Sequence, residues 1–243
     1  MLSIYIKEIQ SFFSTLTGYI VLIIFLLFTG LFMWVFSATS VLNYNYASLG
    51  QLFTIAPMVF MFLIPAVTMQ SLAEEKQKQT IEFLATKPLS DLDIVLGKYL
   101  ACLTLVCIAL IPTLIYYFSI VRLGSPVGNI DNGAVIGSYI GLVFLAAVFC
   151  AIGLFTSSLT SNQIVAFILA AFGCFFVYWA FEFLSNLPVF FGHLDDFVKS
   201  LGIEYHYDNI SKGRIDFKDI VYFLSLVFLF VWLTLVSLDR RKW

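Results

Sequence analysis

The sequence predicts an all-α integral membrane protein with six transmembrane helices, and three observations lead to this fold class. Hydrophobic residues make up 61% of the 243 residues. Charged residues make up only 12%, whereas they are about a quarter of an ordinary soluble domain. The charges cluster between uncharged runs that are long enough to cross a hydrocarbon core about 30 Å thick. The predicted spans are residues 19–36, 52–72, 99–121, 134–156, 164–184 and 220–238.

Residues 1–17 are predicted to form an amphipathic helix in the membrane interface before the first span. They place Lys7, Glu8 and Gln10 among apolar residues, which is typical of an interfacial helix. The run 19–36, with small residues after it, also has features of a signal peptide. The long interfacial segment before it favours an uncleaved span.

The second predicted span contains Pro57 and Pro65 and is expected to bend. Proline removes a backbone donor, and neighbouring helices in a membrane can satisfy the freed carbonyl groups. Two interpretations stay open, a static kink and a helix that bends during transport.

The segment 73–98, which we call the elbow, has nine charged residues between two long uncharged runs and must face water. Glu74 and Lys78 have the i,i+4 order of a helical ion pair, and Ile81, Leu84 and Ala85 give an apolar stripe along the same stretch. We therefore expect the second helix to continue to about residue 85. Pro88 disfavours helical backbone at the residue before it, so the chain is expected to turn there.

A second helix of the elbow is predicted to begin at Ser90. Ser90 and Asp93 match a capping box in which aspartate replaces the usual glutamate. This helix would continue through Gly97 and Lys98 into the third span. The elbow is therefore expected to be a bent helical connection fixed to two membrane helices.

Gly133, Gly137 and Gly141 form a small-xxx-small repeat at the start of the fourth span. Such a repeat lets another helix approach the backbone closely. The sequence leaves open whether the partner helix belongs to the same subunit or to a second one. The polar run 157–163 predicts a tight turn between the fourth and fifth spans.

Glu182 is the one acidic residue within a predicted span, and it follows Trp179 by three positions. Because a charge inside a membrane is costly, such a residue is usually functional. Two interpretations stay open, a position at the rim of the span that water reaches and a role in the translocation path.

Residues 185–218 form the longest polar connection between spans. Leu194, Phe197, Val198 and Leu201 have the spacing of a helix with one apolar face, and this helix would be too short to span. We therefore predict a short re-entrant or interfacial helix between spans five and six.

Lysine and arginine counts predict the orientation, because positive residues are retained in the cytoplasm. With the amino terminus inside, the cytoplasmic segments hold eight of these residues and the outer segments hold five. Both termini and the elbow are therefore expected in the cytoplasm.

Several chemistries are not expected of this chain. Gly97-Lys98 is followed by Tyr99 and lacks the glycine loop that cradles phosphates in a P-loop. No residues match a catalytic pattern or a metal-ligand spacing, so we expect no enzymatic site, no metal and no cofactor in this chain. The net charge of −2 provides no basic face for a nucleic acid. The cysteines lie in apolar runs and are expected as buried small hydrophobic residues: Cys102, Cys107, Cys150 and Cys174.

Part of the elbow carries a family resemblance. The residues concerned are Glu75, Thr80, Ile81, Glu82, Leu84, Pro88, Gly97 and Lys98. In this order and spacing they resemble the first cytoplasmic loop of type-2 ABC transporter permeases (ABC-2), a pattern that has glycine where this chain has Gln79. Residues 153–166 resemble the second cytoplasmic turn of the same family. More narrowly, the chain is similar to gliding-motility-associated ABC permease subunits of Bacteroidetes.

This resemblance implies a permease subunit of the bacterial inner membrane, with ATP bound and hydrolysed by a separate ABC ATPase subunit that docks on the elbow. The expected docking residues are Glu75, Lys78, Thr80, Ile81, Glu82, Phe83, Leu84, Pro88, Ser90, Gly97 and Lys98. It also implies an auxiliary membrane subunit with a large extracytoplasmic part and a role in gliding motility. Six spans are few for an enclosed path, so we expect two permease subunits, identical or paralogous, to associate.

Other functions stay open at this point. One is an ABC-2 exporter of the drug or copper and nitrous-oxide-reductase-maturation type. Another is a secondary transporter, which would be expected to have ionisable or unwound sites near the membrane midplane. A structural scaffold is a third alternative.

Overall fold

The computed structural model describes residues 1–43, 46–80, 90–187, 195–214 and 216–239. Throughout these residues the regular structure is helical, and six helices are long and apolar enough to cross a membrane. The predicted fold class is therefore confirmed. Spans one to six are Leu16–Val35, Gly50–Gln77, Asp91–Leu123, Asn132–Leu159, Gln163–Ser185 and Phe217–Asp239.

A separate helix, Leu2–Ser14, precedes span one, and we call it the N-terminal helix. Thr15 has extended backbone (φ −103°, ψ 164°), so the chain changes direction there before span one begins at Leu16. Span one is α-helical to Gly30 and ends in a π-helical turn, Leu31–Val35.

Span three begins at Asp91 and is α-helical to Leu110. Its amino terminus has the predicted capping box, in which Asp93 N–H donates to Ser90 Oγ (3.1 Å) and Ser90 N–H donates to Asp93 Oδ2 (3.3 Å). The α-helix is interrupted by a 3₁₀ turn, Ile111–Thr113, because Pro112 has no N–H to continue the ladder. It then resumes over Leu114–Leu123.

Spans two, three and four form the centre of the bundle. In their most apolar stretches 72%, 61% and 72% of the residues are buried, against 28%, 22% and 17% for spans one, five and six. Aromatic pairs join the outer spans to this centre, with Phe25 stacked on Phe60 and Phe144 on Phe223. The outer spans therefore present most of their apolar surface to the surroundings.

None of the four cysteines forms a disulfide, and three of them are buried.

The bundle has two ends that are named here by their connections. At the elbow end span two ends and span three begins, and the loop end carries the connection 124–131 and the start of span six. Because the spans alternate in direction, spans two, four and six all run from the loop end to the elbow end.

The helix of span two ends at Gln77, so the expected continuation to about residue 85 is wrong. Lys78 is the C-cap, and Gln79 adopts a left-handed backbone with φ +55°. A residue in this conformation after the C-cap terminates a helix. The predicted turn at Pro88 lies outside the described residues, as do Ile81, Glu82, Phe83 and Leu84.

Two short helices lie between spans five and six in the described part of this connection. Asp195–Lys199 covers only five residues of the helix that the apolar spacing predicted. The longer helix is Ile203–Ser211, which we call the loop helix. Its buried side chains are Ile203, His206, Tyr207 and Ile210. The sequence pattern therefore predicted the first of these two short helices, and the loop helix was not predicted.

Candidate functional site

The ammonium group of Lys98 is buried at the elbow end and joins three elements of the fold. Nζ donates to Glu8 Oε1 of the N-terminal helix (2.9 Å), to Glu75 Oε1 of span two (2.9 Å) and to Ser71 O of the same span (2.8 Å). The Lys98 side chain is 2% exposed. We call these four residues the elbow clasp.

The charges of the elbow clasp make it a strong constraint. A buried ammonium is tolerated only when it is paired and hydrogen-bonded, and here all three of its donors have partners. Lys7 Nζ lies 3.8 Å from Glu75 Oε1 and supplies a second positive charge next to the two carboxylates. The second carboxylate oxygen of Glu75 is enclosed and has no hydrogen-bond partner among the described residues. The position of Glu75 therefore depends on Lys98.

Gly97 allows the N-terminal helix to lie directly on span three. A Cβ at this position would be 3.0 Å from Cβ and Cγ2 of Ile4 and 3.2 Å from Met1 O. Gly97 and Lys98 thus act together, since one permits the close approach and the other supplies the charge. Both are buried, so they support the elbow from inside the bundle and do not lie on an exposed docking surface.

The other predicted docking residues that the structure describes lie closer to solvent. Lys78 pairs with Glu74 at 2.5 Å, which confirms the predicted i,i+4 ion pair. Thr80 is exposed, and its N–H donates to Glu75 O (3.0 Å). Ser90 is exposed at the start of span three. Among the described residues of the elbow, the exposed ones are therefore 77–80, Ser90 and Leu92.

A cavity of about 370 Å³ opens beside the elbow clasp. It lies between the N-terminal helix and the elbow end of span two, and its walls include Lys7, Ser11, Glu74 and Thr80. Water can therefore approach the clasp from one side.

Spans two, four and six meet at a second polar contact at the elbow end. The hydroxyl of Ser157 accepts from the N–H groups of Leu72 (3.1 Å) and Ala73 (3.0 Å) and donates to Met69 O (3.2 Å). The next carbonyl, Ser158 O, accepts from Lys76 Nζ and from Ser237 Oγ. Through two consecutive residues, span four is therefore hydrogen-bonded both to span two and to span six.

Sequence reasoning missed this contact and treated the segment only as a turn. The signal that could have found it is the spacing of four between Gly153 and Ser157, which is again small-xxx-small. A Cβ at Gly153 would lie 2.1 Å from Thr68 Oγ1, so spans two and four are in direct contact there.

The glycine repeat of span four packs against the loop helix of the same chain. A Cβ at Gly137 would lie 2.4 Å from Ile210 O, and one at Gly141 would lie 3.2 Å from the Tyr207 ring. Gly213 has φ +78° and packs against the backbone of Gly133. This intramolecular contact accounts for Gly137 and Gly141, whereas a Cβ at Gly133 would meet only Asp131 Oδ1, at 3.3 Å.

The loop helix is also tied to spans two and six. Tyr207 Oη donates to Phe53 O of span two (2.7 Å). His206 Nδ1 is 2.6 Å from Asp219 Oδ1 of span six, and Nε2 is 2.8 Å from Ser200 O. Both ring nitrogens of His206 therefore lie within hydrogen-bonding distance of an oxygen. The Tyr222 ring stacks on this imidazole with the ring centroids 3.9 Å apart.

Glu182 lies in the wall of a cavity of about 420 Å³ at the loop end. Spans two and five and the loop helix enclose this cavity, whose walls also carry Trp179, Glu204 and Asp208. Burial raises the pKa of Glu204 to about 8, and the hydrogen bond with Glu182 and its negative charge contribute in the same direction. Glu182 therefore borders an open space at the end of the span and has a second carboxyl group beside it.

Comparison with known proteins adds one finding. Residues 35–236 match a family model described as ABC-2 family transporter protein. A search of curated proteins found no match to the chain.

Proposed function

The chain belongs to the ABC-2 family of transporter proteins, and on this premise we propose that it is the permease subunit that couples ATP hydrolysis by its ATPase partner to work across a bacterial inner membrane. Members of this family are multi-pass membrane subunits that act with an ABC ATPase and generally do not hydrolyse ATP themselves. The six apolar helices of this chain agree with that role.

The observation that carries the proposal is the elbow clasp. An ATPase that docks on the exposed elbow must move membrane helices, and it can do so only if the elbow is anchored stiffly. The buried ammonium of Lys98 in span three is hydrogen-bonded to Glu75 and Ser71 in span two, on the other side of the elbow. A force on the elbow would therefore act on spans two and three together.

The docking surface is proposed to consist of the exposed residues 78–80 and Ser90 together with Ile81, Glu82, Phe83, Leu84 and Pro88. Exposed charges at such a dock supply orientation and specificity, while apolar side chains supply buried area. This proposal places the elbow and both termini in the cytoplasm, in agreement with the lysine and arginine counts.

We further propose that two permease subunits associate within the membrane. Spans one, five and six leave most of their apolar surface uncovered in the single chain, and a second copy or a paralogue would cover part of it. An auxiliary subunit with an extracytoplasmic part would act at the loop end. The resemblance to gliding permeases supports surface motility as the work performed.

Export of a small molecule is the second candidate function, and the cavity at the loop end favours it. Its volume of about 420 Å³ lies within the range of small-molecule sites, and aromatic and acidic side chains line it. Deletion of the gene separates the two candidates, because loss of surface motility with unchanged resistance to exported compounds supports gliding. The reverse pattern supports export.

Docking is tested by Lys78→Glu, with Lys212→Glu as a matched control. Both lysines are exposed and pair with an acidic residue four positions earlier at 2.5 Å, but Lys78 is at the elbow and Lys212 is at the loop end. We expect Lys78→Glu to weaken binding of the ATPase in detergent by about tenfold and Lys212→Glu to leave it unchanged. Weakening by Lys212→Glu alone would place the dock at the wrong end.

A further inference from the structure

The turn 69–73 of span two is held from two sides by side chains of other spans. From span three, Lys98 Nζ donates to Ser71 O (2.8 Å). From span four, Ser157 exchanges hydrogen bonds with Met69, Leu72 and Ala73. The same helical turn therefore receives the elbow clasp and the contact to span four.

The contacts around Ser157 oppose sliding of spans two and four past each other. Ser157 is fully buried, as is Thr68 one turn away. Any side chain larger than hydrogen at Gly153 would collide with Thr68. The Ser157 hydroxyl both accepts from and donates to the backbone of span two, so its position is fixed in two directions along the helix axis.

Span four then continues to the loop end, where it carries the loop helix. Gly137 is in contact with the backbone of Ile210, and Ser138 Oγ donates to Ser211 O (3.1 Å). A displacement of span four along its axis would therefore move the loop helix, which forms one wall of the cavity at the loop end.

We infer that Ser157 is the positioning residue through which a displacement of the elbow passes from span two to span four and on to the loop helix. This inference rests on the proposed function and extends it, since it names the contact that carries the movement to the opposite end of the bundle. The test therefore measures how one end of the bundle responds to a change at the other.

The test uses Ser157→Ala with Ser158→Ala as its matched control. Both serines are fully buried neighbours on span four. The Ser158 hydroxyl donates only within its own helix, to Phe155 O (2.6 Å), whereas the Ser157 hydroxyl reaches span two. Ser157→Cys is a second variant that keeps the size of the side chain but provides a much weaker acceptor.

The reporter is a single cysteine introduced by Lys212→Cys, in a Cys107→Ser background so that the remaining native thiols are buried ones. Its labelling rate with a polar maleimide is measured in the purified chain, with and without Glu8→Gln in the elbow clasp. We expect Glu8→Gln to change the labelling rate. We expect Ser157→Ala to reduce this change by about fivefold, Ser157→Cys to reduce it less, and Ser158→Ala to leave it intact. A response that persists in Ser157→Ala would overturn the inference, as would no response to Glu8→Gln in the native background.

The same reporter in complex with the ATPase separates this inference from the proposed function. ATP should change the labelling rate in the otherwise native complex, and Ser157→Ala should suppress that change while ATPase binding stays within about twofold. A complex in which ATP has no effect, although Glu8→Gln acts through Ser157 in the purified chain, would contradict the proposed function and leave the inferred path standing. A merely structural role of Ser157 would instead lower binding and thermal stability together.

Discussion

A single buried ammonium decides how three elements meet at the elbow end of this bundle. In a membrane the hydrophobic effect does not drive helices together, so close packing and polar contacts carry a larger share of the specificity. Lys98 offers three donors to two carboxylates and one carbonyl, and each partner lies within 2.9 Å of Nζ. Without this ammonium, Glu8 and Glu75 would face each other as like charges in a mostly buried site.

Replacement of Lys98 by methionine should therefore be strongly destabilising. Removing one partner of a buried ion pair costs about 3–5 kcal/mol, which corresponds to a melting temperature roughly 10 °C lower for a chain of this size. Lys78→Met is the control, because the 64% exposed Lys78 side chain makes a surface pair worth about 0.5 kcal/mol. Thermal unfolding in detergent measures both variants. Equal melting temperatures for the two would mean that the elbow clasp contributes no stability.

Glu204 gives the loop end a pH-dependent contribution to stability. Its pKa is raised from the ordinary value of 4.5 to about 8, first by burial and then by Glu182. Between these two values the folded chain holds a proton that the unfolded chain has lost. The free energy of unfolding therefore falls as the pH rises through this window. The contribution is fully present below pH 4.5.

Glu204→Gln should remove this dependence, because the amide stays neutral at every pH. We expect the melting temperature of the native chain to fall more steeply between about pH 5 and 8 than that of Glu204→Gln, with the variant more stable at pH 8. Glu74→Gln, at a partly exposed carboxylate of the elbow end, should keep the native slope. The hypothesis is contradicted if Glu204→Gln and the native chain show parallel pH profiles.

At the scale of the helices, sequence patterns predicted the spans well because length and hydropathy suffice for that purpose. The capping box at Ser90 and the Glu74 to Lys78 pair were also readable, since both depend on residues at most four apart. The loop helix and the Ser157 contact were not predicted from the sequence. Ser157 bonds to residues more than 80 positions away, and the loop helix is defined by burial against span four. Local spacing, such as that of Gly153 and Ser157, indicates which face of a helix packs closely but not which distant residues it contacts.

The end of span two shows how one residue overrides a helical pattern. The favourable spacing of Glu74 and Lys78 predicted a helix to about residue 85, but Gln79 adopts φ +55° and the helix ends at Gln77. The family pattern has glycine at this position, and glycine has no steric penalty in the left-handed region. The backbone at Gln79 thus has the conformation that the glycine of the family pattern would favour, although the residue itself departs from that pattern.

Gln79→Gly should for this reason stabilise the end of the helix. A non-glycine residue in this region costs about 1 kcal/mol, so relief of that cost should raise the melting temperature by about 2–4 °C. Lys78→Gly is the matched control, because Lys78 has right-handed backbone (φ −84°) and glycine there should destabilise slightly. A lower melting temperature for Gln79→Gly than for the native chain would contradict the left-handed assignment.

At the scale of the whole molecule, polar contacts hold spans two and four at both ends of the bundle, and span six is joined to them at both ends through Ser237 and Asp219. The elbow clasp and Ser157 tie spans two, three and four together at one end, while the glycine repeat and Tyr207 tie spans two and four to the loop helix at the other. Such an arrangement suits a lever that carries movement along the membrane normal. The connected spans can carry such a movement across the membrane only if the two ends of the bundle face opposite compartments, with the elbow in the cytoplasm.

The orientation is therefore the prediction on which the whole proposal depends. Cysteines introduced by Lys78→Cys and Lys212→Cys replace equally exposed side chains at the elbow end and the loop end. In intact cells a membrane-impermeant maleimide should label Lys212→Cys at once and Lys78→Cys only after permeabilisation, because an ATPase can act on the elbow only from the cytoplasm. The native chain, whose cysteines all lie within spans, sets the background. Immediate labelling of Lys78→Cys would place the elbow on the outer face, where no ATPase partner could reach it.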